Sequence, residues 1–158
     1  MKEIEFWFSI GSTYTYLSVS RLKEVERKFG VSFSWHPFSV RKIMREMDNV
    51  PFPPTKQVKA NYMWRDIERR ARGYGFEAMV PVPYPLKEFD LANRVAVLGI
   101  QEGWCSDYVR TTYKRWFLEW QEPGSEPNVS ESLKEIGQNP ARILKLAAAE
   151  GIGEVYSC

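Results

Sequence analysis

The side chain with the most chemical promise is Ser12, a hydroxyl set where an aromatic run ends and a helix-spaced run begins. Ile4, Phe6, Trp7, Phe8 and Ile10 make the first run, and Leu17, Val19, Leu22, Val25 and Phe29 the second. The pattern predicts a buried strand, a tight polar turn and a helix. A helix start presents unpaired N–H groups and partial positive charge, which stabilise anions, thiolates included. A hydroxyl in that place can also do no more than cap the helix, and on the residues alone this plainer role is the default. The other reactive side chains form no constellation. His36 is the single histidine, no Ser–His–Asp pattern accompanies it, and it reads as structural. Cys105 and Cys158 show no disulfide-framework spacing, and no Cys/His cluster has ligand spacing, so no metal is expected.

The elements that must position Ser12 follow from the rest of the chain. A strand over 3–10 and a helix over 13–29, stopped by Gly30, lead to a second strand over 31–35. A strand–helix–strand crossover of this length implies parallel pairing and a right-handed unit. A short helix over 39–47 carries Val40, Ile43, Met44 and Met47 on its apolar face, and a loop with Pro51, Pro53 and Pro54 follows. A helix over 56–74 sets Met63, Ile67 and Arg70 on one side and Val58, Tyr62 and Arg69 on another. Its arginines interleave with Asp66 and Glu68, which describes a solvated face better than an RNA site. A helix over 89–101 ends at Gly103. Ser106 is expected to cap the next, whose Tyr108, Tyr113, Trp116, Phe117 and Trp120 read as core or subunit interface. Asn128 and Glu131 have capping-box spacing, and Asn139-Pro140 opens a last helix running to Glu150.

Composition sets the frame. A chain of 158 residues, 44% hydrophobic and 15% aromatic, suits one packed domain. The balance of 22 basic against 20 acidic residues argues against nucleic acid and membrane partners. No apolar run approaches the roughly 20 residues needed to span a bilayer. Lys2 and Glu3 open directly into a strand, without leader features. The expected setting is a reduced cytoplasm.

The stretch Phe6-x-Phe8 followed by Ser12-Thr13-Tyr14-Thr15-Tyr16-Leu17 resembles the opening of the 2-hydroxychromene-2-carboxylate isomerases and the related kappa-class glutathione transferases, thioredoxin-like proteins of the DsbA group. His36-Pro37-Phe38, Asn49, the Lys59 to Asp66 segment (Lys-x-x-Tyr-x-x-x-Asp) and Pro81-Val82-Pro83-Tyr84-Pro85 continue the resemblance in order. Ser9 departs from the family's usual Asp. The resemblance implies an α/β, thioredoxin-like fold with a large all-helical insertion. Residues 1–37 would be the strand–helix–strand half, 38–150 the insertion and 151–158 a short tail. It also implies glutathione as cofactor, a small aromatic-derived substrate and a homodimer. By that resemblance Ser12, Thr13, Asn49 and Lys59 contact glutathione, and Lys42 and Tyr84 contact the substrate.

In redox relatives a Cys-x-x-Cys opens the first helix. The tetrad here, Ser12-Thr13-Tyr14-Thr15, contains no sulfur, which removes dithiol exchange at this place. The resemblance implies instead that Ser12 donates a hydrogen bond to the glutathione thiolate and keeps it ionised. The thiolate would add to an unsaturated ring-derived substrate, the opened intermediate would rotate, and elimination would regenerate glutathione. That is a cis–trans isomerase of the 2-hydroxychromene-2-carboxylate type. The alternatives are a kappa-like transferase that keeps the thioether, and a catalytically silent fragment. The family's C-terminal strand–strand–helix half finds no counterpart in the sequence, and no Val-Pro pair after the insertion supplies its cis-proline loop. The expectation is a truncated or frameshifted member with one sheet face and one strand edge open, held together by oligomerising or exchanging segments.

Overall fold

The structure is a computed structural model that describes residues 1–50 and 52–157. Pro51 of the expected proline-rich loop and Cys158 lie outside the described residues.

Strand β1 (Lys2–Phe8) pairs in parallel with β2 (Val31–Pro37), Lys2 opposite Val31 and Phe8 opposite Pro37. This is the pairing the crossover implied. The register puts Ile4, Phe6 and Phe8 on one face with Phe33 and Trp35, and Glu3, Glu5 and Trp7 on the other with Ser32, Ser34 and His36. On the first face Trp35 meets Phe6 and Phe8 edge-on, at 5.0 and 5.5 Å between ring centroids. On the second, Trp7 stays 58% exposed and stacks on His36 at 4.7 Å. His36 also lies 3.2 Å from the Ser34 hydroxyl, a structural setting.

The connection is not one helix but two, α1 (Thr15–Val19) and α2 (Leu22–Phe29). The ladder breaks where Arg21 N–H turns to the Ser18 carbonyl, three residues back instead of four. The Arg21 guanidinium lies 3.8 Å above the Tyr74 ring. Gly30 closes α2 in the left-handed conformation, as expected.

Among the described residues six further α-helices come next: α3 (Val40–Glu46), α4 (Gln57–Tyr74), α5 (Phe89–Glu102), α6 (Cys105–Glu119), α7 (Asn128–Glu135) and α8 (Pro140–Ala147). The segment read as a tail contributes to α9 (Glu150–Ser157), with Gly151 inside its first turn and Tyr156 buried. The core lies between α1, α4, α5 and α6. Tyr108, Tyr113, Trp116 and Phe117 of α6 are fully buried, and Phe117 stacks on Tyr16 at 4.1 Å. Each such apolar side chain contributes about 1.5–3 kcal/mol relative to exposure. Trp120 is more than half exposed, so the α6 aromatics divide between core and surface.

Two expected caps are absent. α6 starts at Cys105 with no side-chain cap, and Ser106 instead accepts from Arg110. Asn128 does not open a capping box. Its side chain is fully buried, where its Oδ1 accepts from the Thr112 and Ser132 hydroxyls and its Nδ2 donates to the Thr112 and Gln121 carbonyls. A buried amide with every group paired fastens α7 to α6. Asn139 does cap α8, accepting from Arg142 N–H with Pro140 at the first helical position.

Candidate functional site

The polypeptide leaves β1 through a turn, Ser12 N–H donating to the Ser9 carbonyl, and α1 begins only at Thr15. Ser12 is therefore not the helix cap. Tyr14 occupies that position and makes no side-chain cap bond. The Ser12 side chain instead lines a cavity of about 210 Å3.

Residues distant in sequence hold the turn. Asn93 of α5 is fully buried and treats Ile10 as a strand partner would. Its Oδ1 accepts from Ile10 N–H at 2.8 Å, and its Nδ2 donates to the Ile10 carbonyl at 2.9 Å and to that of Phe89. The buried Tyr113 hydroxyl of α6 donates to the Ser12 carbonyl at 2.8 Å. Thr13 is buried, and its hydroxyl donates to the Met63 sulfur of α4. Tyr14 donates to Asp66 of α4 at 2.7 Å. Burial and this bond push the Tyr14 phenol up to about 12, while the same bond holds the Asp66 carboxyl below its usual range, helped by Arg70. Gly11, at φ +114, passes so close to Phe89 that a Cβ would lie 2.7 Å from its ring. The turn is fixed on several sides, with Ser12 in the wall of the cavity.

Phe52, Met44, Met63, Tyr84 and Phe89 make the apolar lining, and Arg41 adds the charge. Burial raises the Tyr84 phenol, against an opposing pull from Arg41, so at neutral pH it is a hydrogen-bond donor. Tyr84 also meets Trp64 edge-on at 5.8 Å. An adjoining depression of about 150 Å3 shares Tyr84, Met44 and Phe52 with the first and adds Asn49 and Lys59. The Lys59 ammonium lies 5.9 Å from the centre of the Phe52 ring. Asn49 follows Asp48, which adopts the left-handed conformation, and its backbone N–H closes α3 on the Met44 carbonyl.

Of the residues picked from sequence, Ser12, Thr13 and Tyr84 thus come together, and Asn49 and Lys59 stand beside them. Thr13 is present with its hydroxyl already engaged. Lys42 is elsewhere. It lines a separate groove of about 490 Å3 on the other side of α3, with Trp7, Trp35 and Val97. Consecutive helical residues point about 100° apart, and α3 turns Arg41, not Lys42, toward Ser12. Sequence reasoning missed Arg41, Asn93 and Tyr113. Asn93 carried a usable signal as a lone amide among Leu91, Ala92, Val95 and Ala96, since buried amides are paired.

Among the described residues no cysteine lines this cavity. Cys105 is buried at the start of α6, where burial pushes its thiol up to about 12. Among the described residues no cluster of His, Cys, Asp or Glu could hold a metal ion, and no helix is long and apolar enough to cross a membrane.

Residues 3–157 match the DSBA-like thioredoxin domain family. The 2-hydroxychromene-2-carboxylate isomerase of Pseudomonas putida is 24% identical over 89 residues, 56% of this chain and 44% of that protein. The chain's match thus spans less than half the length of that relative. A solved structure of 2-hydroxychromene-2-carboxylate isomerase superposes with a TM-score of 0.82 at 19% identity, over 98% of this chain and 75% of that one. At that identity the likeness concerns the fold.

Proposed function

We propose, from the premise that this chain belongs to the DSBA-like thioredoxin domain family, that its Ser12 cavity binds glutathione and activates its thiol for a cis–trans isomerisation of the 2-hydroxychromene-2-carboxylate type. One observation carries the reading: the turn that in dithiol relatives presents a sulfur presents here a serine that caps no helix and lines a cavity. The donor set fits a thiol peptide, with Ser12 lining one cavity and Asn49 and Lys59 lining the adjoining depression. Similarity to an isomerase bearing that name agrees with it.

Glutathione, when bound, would supply the thiolate that adds to an unsaturated carbon of the substrate and later leaves it. The chain's part is to hold charge and orientation. The Ser12 hydroxyl donates to the sulfur anion and lowers the thiol's pKa. Asn93 and Tyr113 keep the turn, and with it that hydroxyl, from moving as charge leaves and returns to the sulfur. Phe52, Met44 and Phe89 set apolar surface around the bond that would rotate. Tyr84 keeps its proton and can donate to an oxygen of the substrate. Glutathione titrated calorimetrically into the chain and into Ser12→Ala tests the reading. Weaker binding to the variant supports it, and equal binding, or none to either up to millimolar glutathione, contradicts it.

A further inference from the structure

We infer that Arg41 is the carboxylate-binding residue of the Ser12 cavity. The inference rests on the reading of this cavity as a thiol-activating site, and its test separates the two. Among the described residues Arg41 is the one charged residue lining that cavity. Arg41 is half-buried as a residue, and among the described residues no carboxylate lies within ion-pair distance of its guanidinium. Drawing a cation out of water without a counter-charge is costly, so a partly buried arginine left in this state suits an arriving anion.

The side chain is also held in place beforehand. Its guanidinium lies 4.4 Å above the Phe89 ring, and one Nη2 donates to the Leu86 carbonyl at 2.5 Å. Phe89 is itself buried beside Gly11, so Arg41 is fixed relative to the Ser12 turn. One of five N–H donors is used by Leu86, and the planar fork keeps others for two parallel bonds to a carboxylate. On its outer side Arg41 borders a depression with Glu88 and Asp90, where Arg45 and Lys87 outnumber them when Arg41 is counted. That face too is net positive.

The remaining lining decides the ligand class. Phe52, Tyr84 and the two thioethers Met44 and Met63 accept a flat apolar body, and Arg41 accepts one anionic end. The ligand chemistry is therefore a planar, unsaturated carboxylate, or a carboxylate of glutathione placed against the same fork.

The test is calorimetry with cinnamate, its neutral amide cinnamamide, and glutathione, on the chain, Arg41→Gln and Arg41→Lys. The chain should prefer cinnamate to cinnamamide by about tenfold or more. Arg41→Gln should abolish that preference and Arg41→Lys should keep part of it, since the charge stays and the fork is lost. Loss of glutathione affinity in Arg41→Gln, with cinnamate unaffected, would assign the carboxylate to the cofactor and still support the inference. If Arg41→Gln changes neither the cinnamate preference nor glutathione binding, the inference is overturned. If the chain shows no preference and Arg41→Gln binds glutathione normally, it is overturned as well. Failure of the thiol reading shows separately, as glutathione binding that ignores Ser12→Ala while the cinnamate preference persists.

Discussion

Replacing Asn93 with alanine should loosen the Ser12 turn and cost far more stability than its small volume suggests. Ile10 is fully buried, and its N–H and carbonyl both pair with the Asn93 amide, at 2.8 and 2.9 Å. Alanine leaves both without a partner, and each orphaned buried group costs about 1–3 kcal/mol. The Phe89 carbonyl keeps its backbone partner in α5, so it adds little. The sum is roughly 2–6 kcal/mol, and with a mid-range urea slope of about 2 kcal/mol per molar the midpoint should fall by roughly 1–3 M. Urea titration followed by tryptophan fluorescence reads it, with Asn61→Ala as control. Asn61 is exposed on α4, and among the described residues its side chain bonds only Gln57, so its loss should stay within about 0.5 kcal/mol. A midpoint for Asn93→Ala equal to that of the control, at an unchanged slope, would refute the claim that this amide holds the turn. Glutathione affinity should also fall under conditions where the variant remains folded, because the hydroxyl it positions is no longer fixed.

Tyr14→Phe removes the largest cause of the lowered Asp66 carboxyl. A depressed folded pKa stabilises the protein above the unfolded value of about 3.9, and the benefit is lost as pH falls through the folded value. The variant should therefore be less stable than the parent near neutrality and converge on it in acid. Urea midpoints over that range check it, and a difference independent of pH would contradict it. Gly99→Ala should destabilise although alanine is the better helix former. Its Cβ would lie 2.7 Å from the Cys105 Cα and 3.0 Å from its backbone nitrogen. The overlap costs about 1–3 kcal/mol, against roughly 1 kcal/mol gained in propensity. An unchanged or higher melting temperature would show that α5 and α6 can part there. Cys105, with its thiol raised to about 12 by burial, should escape iodoacetamide in mildly alkaline buffer and react in urea, as peptide mass mapping would show. Rapid labelling of the native chain would mean that the start of α6 opens.

The parts legible in the sequence were those set by local rules. Gly30, Gly75 and Gly103 end their helices in the left-handed conformation, Asn139 caps α8, and the strand–helix–strand unit pairs in parallel. What local rules could not decide is where a helix begins and which way it faces. Ser12, Ser106 and Asn128 all have capping residue types, yet tertiary contacts start the helices elsewhere and give these side chains other partners or none in the fold. That Arg41 and not Lys42 lines the Ser12 cavity has the same origin. Ile43 and Met47 of α3 remain largely exposed, so its apolar pattern did not determine the face turned inward. Asn93 and Tyr113 reach the turn across sequence separations of 83 and 101 residues, beyond any local pattern.

In the proposed function Ser12 stabilises a thiolate. The direct measurement is the ionisation of bound glutathione, followed by the ultraviolet absorbance of the thiolate as pH is raised, in the chain and in Ser12→Ala. A hydrogen bond to a charged group is worth about 1.5–3 kcal/mol, which corresponds to roughly 1–2 pH units. The account predicts a thiol ionising below its free value in the chain and higher by about that amount in the variant. Identical titrations in both, with glutathione bound, would contradict it.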